Sequence, residues 1–335
     1  MRFLQHQTRA RRQSRLLLFV FCNLLGLISL GICAVIWLAV FFTRDFHEIV
    51  LVRGYWRYFP YAAAATVITV GGAALYEHMT LVSQGAVSIA NQLGGRLLSA
   101  SRAKTLSETQ LLNIVNEISI AALHKPPLVY VLDNEPSINA FAAGSEEMHF
   151  VLGVTEGALK LLNREELQGL VAHEMSHIVE GDAQLNMQLS SLNYGLTWLH
   201  NLGQWCFELQ SFRMGIVGGC LLVLGWIGVA AGRILQAAIS REREYLADAG
   251  AVRFTRNPVG ISSTLRKIAV QAKVEPQDAK MNTPFAAAFG HTFFCTAYAR
   301  GDLETGFLAT FFTGFSWLDT HPPLRERIRR LTFTS

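Results

Sequence analysis

His173-Glu174-Met175-Ser176-His177 places two imidazoles and a carboxylate within five residues. On a helix, residues i and i+4 project from one face, one turn apart. Both rings can therefore reach a single metal ion. Glu174 sits about 100° further round the helix, within reach of a water on that ion. Zinc suits such ligands, and a catalytic zinc takes three from the protein and leaves one position for water or substrate. A second polar cluster, Arg241-Glu242-Arg243-Glu244-Tyr245-Leu246-Ala247-Asp248, follows a long apolar run. Glu244 and Asp248 are again i and i+4. One of them can bind the metal, and the other can accept a hydrogen bond from the free ring nitrogen of a ligating histidine. Taken alone, this run also describes a solvated helix of alternating charge. The H-E-x-x-H elsewhere in the chain favours the metal.

The elements that must hold these residues are legible around them. Asn163-Arg164-Glu165-Glu166 offers an Asn N-cap with Glu at the third helical position, a capping box. Leu167, Leu170, Val171, Met175 and Ile178 recur at helical spacing, and Gly181 stands where a left-handed glycine ends a helix. Ala247, Ala249 and Ala251 would let a second helix approach closely. Upstream, residues 106–124 read as a helix closed by Pro126-Pro127. Leu128–Leu132, Ile138–Ala143 and His149–Val154 read as strands, the last two joined by a turn at residues 144–147. Thr155 caps a short helix leading to the metal helix. Met148, Phe150 and Leu152 alternate as core-facing residues. Residues 81–105 read as a linker.

With these motifs in view, the chain resembles the HtpX-like membrane zinc metalloproteases, relatives of the CAAX prenyl endoprotease. The resemblance spans residues 110–332 and rests on four segments in order. These are Asn139-Ala140-Phe141-Ala142; His173 to His177 with Gly181-Asp182; Ser240 to Ala249; and Thr320-His321-Pro322-Pro323-Leu324 with Arg325-Glu326-Arg327-Ile328. It implies one Zn2+ per chain, held by His173, His177 and Glu244, with Asp248 bracing the site from outside the metal shell. It implies Glu174 as the catalytic base and Asn139–Ala142 as the strand edge that receives substrate. The implied fold is α+β: a mainly helical zinc-metalloprotease domain with a small β-sheet.

Composition places that domain at a membrane. The chain has 335 residues, 51% of them hydrophobic, and a net charge of +4. Residues 16–42 and 59–76 carry no charge, and the first run is long enough to span a bilayer. This gives an N-terminal pair of transmembrane helices in residues 1–80. Arg2, Arg9, Arg11, Arg12 and Arg15 precede the first span, against Arg44, Arg53 and Arg57 between the two. By the positive-inside rule the N-terminus is cytoplasmic, with Tyr55, Trp56 and Tyr58 at the outer interface. Residues 214–232 are apolar enough for a further span. They lie between His177 and Glu244, which must share one metal, so the number of crossings between them is even. Residues 184–207 are the partner segment, though rich in Asn and Gln. The two either cross together as a second helical hairpin or both stay on the cytoplasmic side, and the hairpin is the better expectation. The protease domain is then 106–335, interrupted at 184–239.

Among other residues, His321 could stabilise an oxyanion, as could Arg325 or Arg327. Asp182 could brace the metal helix, and His291 reads as structural. Cys22, Cys33, Cys206, Cys220 and Cys295 form no C-x-x-C pair. Basic residues flank the spans and the C-terminal helix, which fits a lipid surface and not nucleic acid. The expected protein is a membrane-embedded endopeptidase of a bacterial inner membrane, facing the cytosol and acting on damaged membrane proteins. Its alternatives are a non-catalytic scaffold with a structural zinc and a prenyl-peptide protease.

Overall fold

A computed structural model describes residues 19–20, 23–34, 59–144, 149–209, 212–274, 294 and 321–332. The N-terminal arginines, the loop with Arg44, Arg53 and Arg57 and its aromatic residues, residues 145–148, His291 and Thr320 lie outside these. In chain order the described elements are α1 (Asn23–Ala34), α2 (Phe59–Thr66), a π-helical turn Val67–Gly71, α3 (Gly72–Gln92), β1 (Arg96–Leu98), α4 (Leu106–Ala122), β2 (Leu128–Leu132), β3 (Ala140–Ala143), β4 (Val151–Thr155), α5 (Glu156–Leu161), α6 (Arg164–Glu180), α7 (Asp182–Glu208), α8 (Phe212–Thr255), α9 (Pro258–Val274) and α10 (Leu324–Thr332). The architecture is α+β, mostly helical with one small mixed sheet.

The chain divides into two compact units, Met1–Leu81 with Met187–Leu235, and Val82–Asn186 with Gln236–Ser335. In the first, α7 and α8 pack along their length. Gly218, Gly225 and Gly232 of α8 face Phe207, His200 and Asn193 of α7, and a Cβ at any of them would collide there. That seven-residue spacing keeps one face of α8 against its neighbour. Ile28, Val70, Leu196, Leu199, Leu221 and Val229 form the unit's core. Val223, Ile227, Trp205 and Phe207 are exposed. Among the described residues, one helix is long and apolar enough to cross a membrane, Met214–Thr255; α1 is a shorter apolar helix.

The second unit is built on a sheet of order β1-β2-β4-β3. β2 and β4 are parallel, while β1 and β3 pair antiparallel at the two edges. Strand side chains alternate between faces. Val129, Val131, Ala140, Ala142, Leu152 and Val154 join Leu111, Ile118, Leu170, Met175 and Ile261 in one core. Tyr130, Leu132, Phe141, Ala143 and Val151 join Ile89, Ala90 and Leu93 in another. The sheet is thus buried on both faces, which explains why its strands read as nearly continuous apolar runs. Gly153 is required here, because a Cβ would overlap the Phe141 ring.

Two sequence readings need correction. Residues 81–105, read as a linker, contain the end of α3 and strand β1, which closes the sheet against β2. Three residues are too few for strand periodicity to register, and their order comes from pairing with β2. The strands expected at Ile138 and His149 start later, at Ala140 and Val151. Strand ends are set by where ladder partners begin, which a single segment does not reveal.

Candidate metal centre and active site

Helix α6 carries the H-E-x-x-H. Its capping box forms as the sequence predicts: the Glu166 main-chain N–H donates to Asn163 Oδ1 at 3.0 Å, and the Asn163 N–H donates to Glu166 Oε2 at 2.8 Å. Gly181 ends it with φ 77°. Glu166 is buried and also held by Lys267 and Ser263 of α9, each at 2.7 Å. The start of α6 is thereby anchored to the helix packed behind it.

His173, His177 and Glu244 come together and could hold a metal ion. The two Nε2 atoms are 3.1 Å apart, and each lies 3.6 Å from a Glu244 carboxylate oxygen. Three ligands on a tetrahedral zinc with bonds of about 2.0–2.1 Å stand about 3.3–3.4 Å apart, so the triangle has the right edges. The chemistry of the donors agrees. His173 Nδ1 is 3.0 Å from Asp248 Oδ1, and His177 Nδ1 is 2.8 Å from Asp182 Oδ2. A carboxylate can only accept, so each Nδ1 carries a hydrogen and each Nε2 is the atom left for a metal, which would displace any proton there. Both Nε2 atoms and the Glu244 oxygens point to one place. These residues fit a zinc ion.

The electrostatics follow from burial. His173 is fully buried, which disfavours its charged form, but Asp248 and Glu244 outweigh this and raise its pKa to about 9. Burial and the neighbouring His173 push His177 down to about 4. Glu174 is 1% exposed. Burial pushes its carboxyl up, against the attraction of the two histidines. Neither Glu174 oxygen has a hydrogen-bond partner among the described residues.

The C-terminal signature also reaches the site. His321 is buried, with Nδ1 3.2 Å from Glu244 Oε1. Arg327 of α10 is fully buried. Its Nε and Nη2 donate to Asp248 at 2.8 and 2.7 Å, and Nη1 lies 2.9 Å from Glu244 Oε2. The sequence offered Arg325 or Arg327 to an oxyanion. Arg325 is exposed, and Arg327 directs its fork to Glu244 and Asp248 of α8, because a buried pair of carboxylates needs a counter-charge. Asn139, Ala140, Phe141 and Ala142, expected at a substrate edge, lie at and beside β3, an outer strand of the sheet. Phe141 points to the face away from α6. Asn139 Oδ1 accepts from the Ala140 N–H at 3.0 Å.

Three participants carried no usable sequence signal. Phe294 stands edge-on to His173, centroids 4.6 Å apart, and its N–H donates to the Ala140 carbonyl at 2.9 Å. Arg243 contacts Asp182. Gly250 lies where α8 meets α6, and a Cβ there would overlap Ser176 Oγ and crowd its Cβ. Gly250→Ala should therefore push α8 off α6 and pull Glu244 from the histidines. We expect a loss of about 1–3 kcal/mol in stability from overpacking, with weakened zinc affinity. Thermal melts and chelator competition would measure both; wild-type values in the two would show that this contact does not set the ligand distance.

The model of peptidase family M48 matches residues 105–335. A protease HtpX homolog from Ligilactobacillus salivarius (strain UCC118) is 34% identical over 251 residues, 70% of this chain and 77% of that one. One from Dictyoglomus turgidum (strain DSM 6724 / Z-1310) is 35% identical over 226 residues, 66% of this chain and 68% of that one. The crystal structure of S. mikatae Ste24p aligns with a TM-score of 0.41 and 15% identity, over 82% of this chain and 65% of that chain. With the H-E-x-x-H helix, Glu244 and the C-terminal helix all inside the matched residues, the chain belongs to peptidase family M48 and is a metalloprotease.

Proposed function

We propose that this metalloprotease cuts damaged or misfolded membrane proteins at the cytosolic face of a bacterial inner membrane, using one Zn2+ per chain. The observation that carries the reading is the convergence of His173, His177 and Glu244 beside a buried Glu174 without a hydrogen-bond partner among the described residues. When bound there, zinc would polarise the scissile carbonyl and lower the pKa of the attacking water. Glu174 takes the water's proton and hands it to the leaving amine. Its buried setting favours accepting that proton. His321 faces the same site and donates to the developing oxyanion. Substrate adds as a strand along the outward edge of β3, replacing the Phe294 N–H at the Ala140 carbonyl, and is recognised by its main chain, which tolerates many side chains. A scaffold with structural zinc does not account for Glu174: a carboxylate that binds no metal and has no hydrogen-bond partner among the described residues is costly to bury.

Two features support a membrane setting: the apolar helix over Met214–Thr255, and the outward-facing Trp205, Phe207, Val223 and Ile227 on α7 and α8. The close glycine-lined packing of α7 on α8 favours a hairpin that crosses the bilayer as one piece. The N-terminal pair of spans in residues 1–80 and the protease domain over 106–335, interrupted at 184–239 and joined by strand β1, complete the proposed organisation.

The full chain purified in detergent should cleave an unfolded polypeptide, lose that activity to a chelator and regain it with Zn2+. Cleavage that persists without metal would refute the zinc assignment. Orientation is tested with single cysteines in a cysteine-free background of intact cells. Positions Ser107 and Ser335 should resist a membrane-impermeant thiol reagent, while a cysteine within residues 45–57 should react. Labelling of both Ser107 and Ser335 positions would place proteolysis outside; labelling of one alone would break the even-crossing argument.

A further inference from the structure

We infer that Asp182 and Arg243 are positioning residues for His177, aiming its Nε2 at the metal as Asp248 and Arg327 aim that of His173. The inference rests on His177 being a metal ligand. Asp182 is the first residue of α7, and the left-handed turn at Gly181 brings it back beside His177. There the His177 Nδ1–H donates to Asp182 Oδ2 at 2.8 Å. An acidic residue in the first turn of a helix commonly serves that helix's own N–H groups. Asp182 instead turns its oxygens to His177 and Arg243.

Asp182 is 3% exposed, so its charge needs compensation. Arg243 supplies it and also donates from Nη2 to the Glu180 carbonyl at 2.9 Å. A planar guanidinium can serve a carboxylate and a carbonyl together, which a lysine ammonium does with less directional control. Arg243 precedes Glu244 in the chain. One stretch of α8 thus supplies the third ligand and a tie to the end of the helix bearing the other two. The site then has two matching braces. In each, a buried aspartate accepts from a ligand's Nδ1–H and is backed by a buried arginine from another element. The turn at Gly181-Asp182 is part of the metal site's support.

The test compares full-length Asp182→Ala, Asp182→Asn, Arg243→Lys and His177→Ala with wild type. Zn2+ affinity is read by chelator competition, the visible spectrum of the Co2+-loaded protein reports ligand geometry, and melts are taken with and without metal. Asp182→Ala should weaken Zn2+ binding by about 10–100-fold and shift the cobalt bands. Asp182→Asn keeps one acceptor for the Nδ1–H and should lose less. Arg243→Lys should resemble it. If Asp182→Ala fails to fold, the Asn and Lys variants decide by the same two readouts. An unmoved cobalt spectrum and wild-type Zn2+ affinity, with equal drops in melting temperature for both forms, would mean a structural role only and overturn the inference. His177→Ala separates the two claims: if it keeps wild-type Zn2+ affinity, the ligand assignment fails and the brace fails with it. If it loses Zn2+ while the Asp182 and Arg243 variants do not, the brace alone is wrong.

Discussion

Glu174→Gln leaves Zn2+ bound and removes peptide hydrolysis, by about 10²–10⁴-fold if only the proton-transfer contribution is lost. Gln has the shape of Glu but cannot take a proton from water at neutral pH. The ligands His173, His177 and Glu244 are untouched, so metal content should equal wild type. The same substitution should raise the melting temperature of the metal-free protein. Glu174 is 1% exposed and both its oxygens lack hydrogen-bond partners among the described residues, and an ionised group buried without a partner is costly. Metal analysis, single-turnover cleavage and a melt of the chelated protein measure the three effects. Near-wild-type turnover would remove Glu174 from the mechanism. An inactive variant that had also lost zinc would mean that Glu174 holds the metal.

Glu244→Ala should lose zinc altogether. The triangle of His173, His177 and Glu244 is reduced to two histidines; Glu174 is not part of that convergent group, and the other carboxylates nearby are committed or exposed. Asp248 accepts two hydrogen bonds from Arg327 and a third from His173. Asp182 is engaged by His177 and Arg243. Glu242 is exposed. Loss of affinity should exceed about 100-fold, the upper end for residues that only support a ligand, and cleavage should fall to background. Asp248→Asn, which leaves all three ligands, is the comparison: it should lie within the supporting range. Full zinc occupancy in Glu244→Ala would move the third ligand elsewhere. Equal losses in Glu244→Ala and Asp248→Asn would erase the distinction between ligand and support.

The metal helix was readable from its residues because its determinants are local. The Asn163–Glu166 box, the spacing of His173 and His177 and the stop at Gly181 are relations within one or two helical turns, and the structure reproduces each. Leu128–Leu132 was legible for the same reason: a short apolar run rich in β-branched residues, bounded by prolines. The pairing of Glu244 and Asp248 as i and i+4 was visible too, though their roles came from family likeness and not from spacing. Tertiary structure decided what those side chains meet. Arg327 lies 79 residues from Asp248 in the chain, and no periodicity links them. Arg243, in the same charged run as Glu244, could have faced solvent. It meets Asp182 because the rotation of α8 against α6 turns it inward, and the absence of a side chain at Gly250 permits that close approach. Phe294 reaches His173 and the edge of β3 from a distant part of the chain. A helix's own sequence determines which residues share a face. The rotation and depth at which that face seats on its neighbours come from packing between distant segments, and in this protein that packing brings together three separated residues that could hold a metal ion.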